Sequence, residues 1–241
     1  METSLHRALK ERYAAAGGQV EYRLGRYRID VADGARLIEI QHGSLAALVR
    51  KVGELVNAHD VLVVKPLVMR RRIVWYARRG GRAQRARWSP KRGSLIDLFD
   101  DLLYFTRVFP HPRLTLEVLP VEIEECRCPR SRRRGRRRQG RRDWEVLDQR
   151  LTAVLEPHRL HTARDLWSLV DVRLPQPFHT GHLAEALSIE RWHAQRIAYC
   201  LRETGAARSV GRQGNTRLYL PAQAADLAAP MAAERSSRRA A

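Results

Sequence analysis

Between residues 127 and 142 the chain reads RCPRSRRRGRRRQGRR, ten arginines with almost nothing apolar among them. A block of like charges repels itself, cannot be buried in a core and stays extended unless it continues as a charged helix. The patterned sequence on either side must therefore fold without it. The expectation is a domain over 1–126, an Arg-rich linker over 127–142, a second domain over 143–221 and a frayed Ala- and Arg-rich tail over 222–241. Hydrophobic residues make up 44% of the 241, so the chain is no disordered polyelectrolyte.

The first part alternates short elements. Leu5, Leu9 and Tyr13 recur at helical spacing over 3–15, and Gly17-Gly18 ends that helix. Strand-like runs follow at 19–24, 26–31 and 35–41, with a hairpin signal at Asp33-Gly34. Ser44 can cap a helix to about Asn57 that lines up Leu45, Leu48, Val52 and Leu55. A buried strand is expected at 60–68, another at 72–77, a basic loop at 78–92, a helix at 94–103 and a last strand at 114–123. The fold class is α/β (α+β), a mixed sheet, followed by a mainly helical domain.

That second domain is read as a helix over 144–154, placing Val146, Leu147, Leu151 and Val154 on one side. Thr162 and Asp165 form a capping-box start for a helix to Val170. Thr180 and Ser188 cap helices at 182–187 and 189–204, and a hairpin closes the domain around Gly211–Asn215. This order resembles a helix-turn-helix with a β-wing, a winged helix. The resemblance implies nucleic-acid contacts by Arg191, Gln195, Arg196 and Tyr199 on the second helix, and by Arg208, Arg212, Gln213 and Asn215 in the wing.

Lys and Arg total 45. Four are lysines, leaving 41 arginines, and the formal net charge is +19. Arginine's flat fork of donors suits phosphates and base edges, so the expected partner is nucleic acid, with DNA favoured. The opening residues lack the basic and apolar regions of a secretory signal, and no run suits a membrane span. A soluble, cytoplasmic protein with no membrane partner is expected. Three cysteines make no disulfide framework, and Cys126 with Cys128 lacks a second pair for zinc. His179, His182 and His193 have no thiolate nearby and are read as capping or surface residues.

Asp30 lies in Ile-Asp-Val, and Glu39 and Gln41 lie in Leu-Ile-Glu-Ile-Gln. A hairpin brings Asp30 beside the third strand, so two carboxylates meet at a sheet edge. Such hard oxygen donors suit Mg2+ or Mn2+. These residues and the α-β-β-β-α-β order resemble the PD-(D/E)XK nuclease superfamily, over roughly residues 1–125. The wider stretch is similar to an uncharacterised bacterial family assigned to that class. The resemblance implies a restriction-endonuclease-like core with metal ligands Asp30 and Glu39. It also implies a metal-dependent endonuclease, or a silent DNA-binding regulator built on the same fold. Gln41 stands where the superfamily usually has lysine; Lys51 on the following helix is the candidate displaced lysine. Glu2 takes the place of a first-helix carboxylate, and Glu21 is a further acid nearby. Many members act as dimers, which leaves a homodimer open.

Overall fold

A computed structural model of the chain describes residues 2–130, other than 16 and 35, together with 143–222. Its elements run α1 (Ser4–Ala14), β1 (Gln19–Leu24), β2 (Tyr27–Asp33), β3 (Arg36–Ile40), α2 (Val49–Leu55), β4 (Asp60–Tyr76), β5 (Ala83–Trp88), α3 (Leu98–Phe105), β6 (Leu114–Pro129), β7 (Trp144–Val154), β8 (His158–Leu160), α4 (Trp167–Val170), α5 (Thr180–Leu187), α6 (Arg191–Glu203), β9 (Ala207–Gln213) and β10 (Thr216–Pro221). The architecture is mixed α+β. One eight-stranded mixed sheet is ordered β1-β2-β3-β4-β6-β7, with β5 on β4 and β8 on β6, and β9 pairs with β10 separately. No helix among the described residues is long and apolar enough to cross a membrane.

The first three strands form an antiparallel meander, turned at Gly25 (φ +55) and Gly34 (φ +57), a conformation that glycine adopts without a Cβ penalty. β3 then pairs in parallel with β4, which requires a crossover, and α2 supplies it. The start of β4 is an apolar run because it is covered on both faces. Val61 and Val63 pack with α2 and α3, while Leu62 and Val64 pack with Leu5 and Leu9 of α1. α1 thus covers one face of the sheet and α2 and α3 the other.

The two long strands pair with each other in parallel, and each serves two further neighbours. β4 pairs with β3 through its first residues and with β5 through Arg72–Tyr76. β6 pairs with β8 at Leu116–Val118 and with β7 from Val121 to Pro129. The strands expected at 60–68 and 72–77 are therefore one strand, and the basic loop expected at 78–92 contains β5. Gly93 is needed where the chain leaves this region. A Cβ built there would lie 2.2 Å from the Val68 carbonyl oxygen, which is backbone and cannot swing away. Gly93→Ala should cost about 1–3 kcal/mol, read as a lower urea midpoint at unchanged slope.

The helix expected over 144–154 is a strand. Its apolar residues fit helical spacing, but the unpaired edge of β6 offers backbone partners along its length, and pairing overrides the local pattern. The expected domain boundary changes with it. Pro129 pairs with Trp144, so the sheet continues past the Arg-rich block instead of ending before it. Most of that block, 131–142, lies outside the described residues, as does the tail from 223.

The C-terminal helices also share the sheet's core. One buried cluster runs from Ile29 and Leu37 through Phe99, Phe105 and Phe109 to Leu183, Ile197, Leu201 and Tyr219. At the seam, the Cys200 thiol lies 3.6 Å from the Phe99 carbonyl oxygen, and Arg196 pairs with Asp100 at 2.7 Å.

Candidate active site and basic surfaces

Pairing between β2 and β3 ends at Val31 and Ile38. One step further, the strands part, and the Asp30 side chain takes the place of the missing backbone partner: its Oδ2 accepts the Ile40 N–H at 2.8 Å. The same oxygen lies 3.3 Å from His6 Nε2 on α1. Burial works to raise the Asp30 carboxyl's pKa, but the His6 contact and the Ile40 bond outweigh it and hold it below its usual range. His6 moves the other way, raised chiefly by its hydrogen bond to Asp30.

Glu39 is held from the opposite side. It is buried in β3, and Lys51 Nζ reaches back from α2 to 2.5 Å from its Oε1 and 2.5 Å from the Arg28 carbonyl oxygen. Burial pushes the Glu39 carboxyl up to about 7, with Lys51 pulling against it. A buried acid with a raised pKa stabilises the fold only while protonated, so in metal-free buffer stability should fall as pH rises from about 4.5 to about 7. Glu39→Gln escapes that loss. Relative to the wild type it should gain about 3 kcal/mol between about pH 4 and about pH 8, measured by denaturant unfolding in EDTA.

His6 and Lys10 share one face of α1, and Glu2, just before the helix, continues their four-residue spacing. Glu2 Oε1 lies 3.3 Å from His6 Nδ1 and 2.5 Å from Lys10 Nζ. Lys10 is buried and continues to Glu21 at 2.9 Å. Hydrogen bonds from Lys10 and Arg28 hold Glu21 down to about 2. Glu21 has φ +56, a left-handed conformation rare for a residue with a Cβ, and it sits in a strand directly beside this cluster. Sequence reading missed His6 and Lys10, although the spacing from Glu2 was a usable signal.

Gln41 is near the site but committed elsewhere. Its amide Nε2 donates to the Ser44 carbonyl at 3.0 Å, which shapes the turn into α2. Buried Lys65 holds the same turn, with Nζ 3.2 Å from His42 O, 2.6 Å from Gly43 O and 2.7 Å from Asp101 Oδ2. Among the described residues, no group of three or more His, Cys, Asp and Glu is placed to hold a metal ion. The oxygen donors at the site are Asp30 and Glu39, with Glu2 joined to Asp30 through the His6 ring.

On α6 the expected inner face is buried: Ala194, Ile197, Ala198 and Leu201, joined by His193 and Cys200. Arg191, Gln195 and Tyr199 are exposed, as are Arg208, Arg212, Gln213 and Asn215 on the hairpin. Arg196 is exposed too, but its guanidinium is paired with Asp100 of α3. Trp192, 51% exposed and lying under Arg196, was not anticipated on this face. His179 caps α5, its Nδ1 accepting the N–H groups of Gly181 and His182. The cysteines are free and buried.

A family described as a domain of unknown function (DUF8091) matches residues 3–161. The match runs through β7 and β8, in keeping with a sheet that extends beyond the Arg-rich block. The chain is also similar to an uncharacterized protein of Treponema pallidum (strain Nichols), 28% identical over 220 residues, which cover 90% of this chain and 84% of the other. No solved structure matches it.

Proposed function

The chain belongs to the family described as a domain of unknown function (DUF8091), and we propose that its fold binds DNA and hydrolyses phosphodiester bonds with a divalent metal ion. One observation carries the reading: Lys51 Nζ lies 2.5 Å from the buried Glu39 carboxyl, where strands β2 and β3 part beside Asp30. The order α1-β1-β2-β3-α2-β4, with an antiparallel meander and a parallel β3–β4 pair, supports a nuclease-like core. A cation suits Glu39 because burying its charge beside a single ammonium is costly, as the raised pKa records.

Asp30 and Glu39 would hold Mg2+ or Mn2+, which when bound supplies an activated water and stabilises charge on the scissile phosphate. Lys51 orients Glu39 and places a positive charge where a phosphate oxygen would approach. His6 and Lys10 fix Glu2 and Asp30 from the α1 side. Gln41 and Lys65 hold the turn that carries Lys51's helix.

A winged-helix reading of the C-terminal part rests on α5, α6 and the β9–β10 hairpin, with Phe178 bridged to Tyr219. Exposed Arg191, Gln195, Tyr199, Arg208, Arg212 and Asn215 would then contact nucleic acid. The alternative, a silent DNA-binding regulator, is favoured by one specific feature: both site carboxylates already have basic side chains as partners, Lys51 for Glu39 and His6 for Asp30. Labelled DNA incubated with the protein in Mg2+, Mn2+ or EDTA separates the two. Cutting in metal and not in EDTA is expected. Tight, salt-steep binding without cutting in any condition would establish the silent reading instead.

A further inference from the structure

The protein compensates most of the arginines on the outer part of its sheet. Arg70, Arg71, Arg72, Arg127, Arg150 and Arg159 each face a carboxylate of β6. The edge strand β5 and its flanks are different. No acid occurs from Tyr76 to Ile96. Arg79 borrows Glu145 of β7. Among the described residues no carboxylate pairs with Arg78, Arg82, Arg85, Arg87, Lys91 or Arg92, and all six are exposed.

Charge alone fits any polyanion, and edge-strand cations also discourage sheet-to-sheet aggregation. The aromatic residues narrow the choice. Trp88, at the end of β5, is 45% exposed and lies face-on to Arg70 at 4.2 Å. Arg85 lies over Trp75 on the adjacent strand at 5.1 Å, and Trp75 meets Trp144 edge-on at 6.0 Å. Arg85 and Arg87 project to the face that carries Trp75, about 7 Å apart along the strand, comparable to the phosphate step of an extended single strand, while Trp88 projects with Arg70 to the opposite face of the same edge. Cations that track a backbone, beside indole rings on which bases can stack, are the elements of sequence-tolerant single-strand binding. A duplex keeps its bases stacked on one another and leaves those rings unused.

We propose that the edge formed by β5 and its flanking turns binds single-stranded nucleic acid that wraps round the edge, with the cations on phosphates and Trp88, on the face opposite Arg85 and Arg87, stacked on a base. This surface is separate from the Asp30–Glu39 site, and the two fail independently.

The test uses the full chain in EDTA and a labelled oligothymidylate of roughly 20 nucleotides, longer than one such site. Three substitutions together, Arg82→Ala, Arg85→Ala and Arg87→Ala, should weaken binding by at least about tenfold and lower the log–log salt slope by about 2. Trp88→Leu should weaken it by about tenfold, and Trp88→Phe should restore most of the loss. The proposal is overturned if neither the arginine nor the Trp88→Leu variant weakens binding, or if a duplex of equal length loses the same factor. It is equally overturned if poly-glutamate competes as well as unlabelled oligothymidylate, which would mark the edge as a general acid-binding surface.

Discussion

If the proposed function holds, replacing Asp30 by Asn and Glu39 by Gln together should remove metal-dependent cleavage, with a loss on the order of 1000-fold or more, and leave DNA affinity within about threefold. The size of the first effect follows from losing at once both anionic ligands that the proposal gives the metal. The small second effect follows from where the positive charge lies: Asp30 and Glu39 are negative groups set among Lys51, Lys10 and His6, while most exposed arginines are elsewhere. The amide replacements keep shape, so the side-chain carbonyl oxygen that Asp30→Asn leaves in place can still accept the Ile40 N–H, which Asp30 accepts at 2.8 Å. A variant that cuts at the wild-type rate would remove the metal from these two residues. A variant that loses DNA binding along with cutting would mean the site holds substrate and not metal.

Phe99→Ala is expected to destabilise the whole chain by about 3–5 kcal/mol. Phe99 is fully buried on α3, in the cluster that joins the sheet to α5, α6 and the β9–β10 hairpin. The contacts at Asp100 and at the Phe99 carbonyl tie the same helix to α6. Removing the ring leaves a cavity shared by both parts, so neither can stay folded on the other's behalf. Calorimetry should show one transition, with calorimetric and van't Hoff enthalpies in agreement, moved down by roughly 10 °C. Two separated transitions, only one of them shifted, would restore the two-domain organisation expected from sequence.

Which parts of this were legible in the sequence follows from physical range. α1, the β1–β2–β3 meander and the helices after Thr180 are set by local signals: apolar periodicity, glycine at the turns and capping side chains. β7 was not, because what makes Trp144–Val154 a strand is the open edge of β6. The single long β4 was missed for a related reason: its second half, Arg70, Arg71 and Arg72, reads as a polar break until the carboxylates of β6 are seen beside it. The Arg-rich block looked like a boundary by composition, whereas pairing across it is a long-range property.

The candidate site divides in the same way. Asp30, Glu39 and Lys51 were reachable from strand alternation and helix position. His6 and Lys10 were overlooked because a helix face carrying Glu, His and Lys at intervals of four also describes an ordinary solvated surface. Their pairing with Asp30 and Glu21, His6 half-buried and Lys10 buried, is what sets them apart.

The most direct test of the central claim is a time course of supercoiled plasmid incubated with Mn2+, run side by side for the wild type and the Asp30→Asn, Glu39→Gln variant, with an EDTA lane for each. The account predicts nicked and linear plasmid from the wild type with Mn2+ alone. Plasmid left intact by the wild type while it is demonstrably bound, or cut equally by the variant, would contradict it.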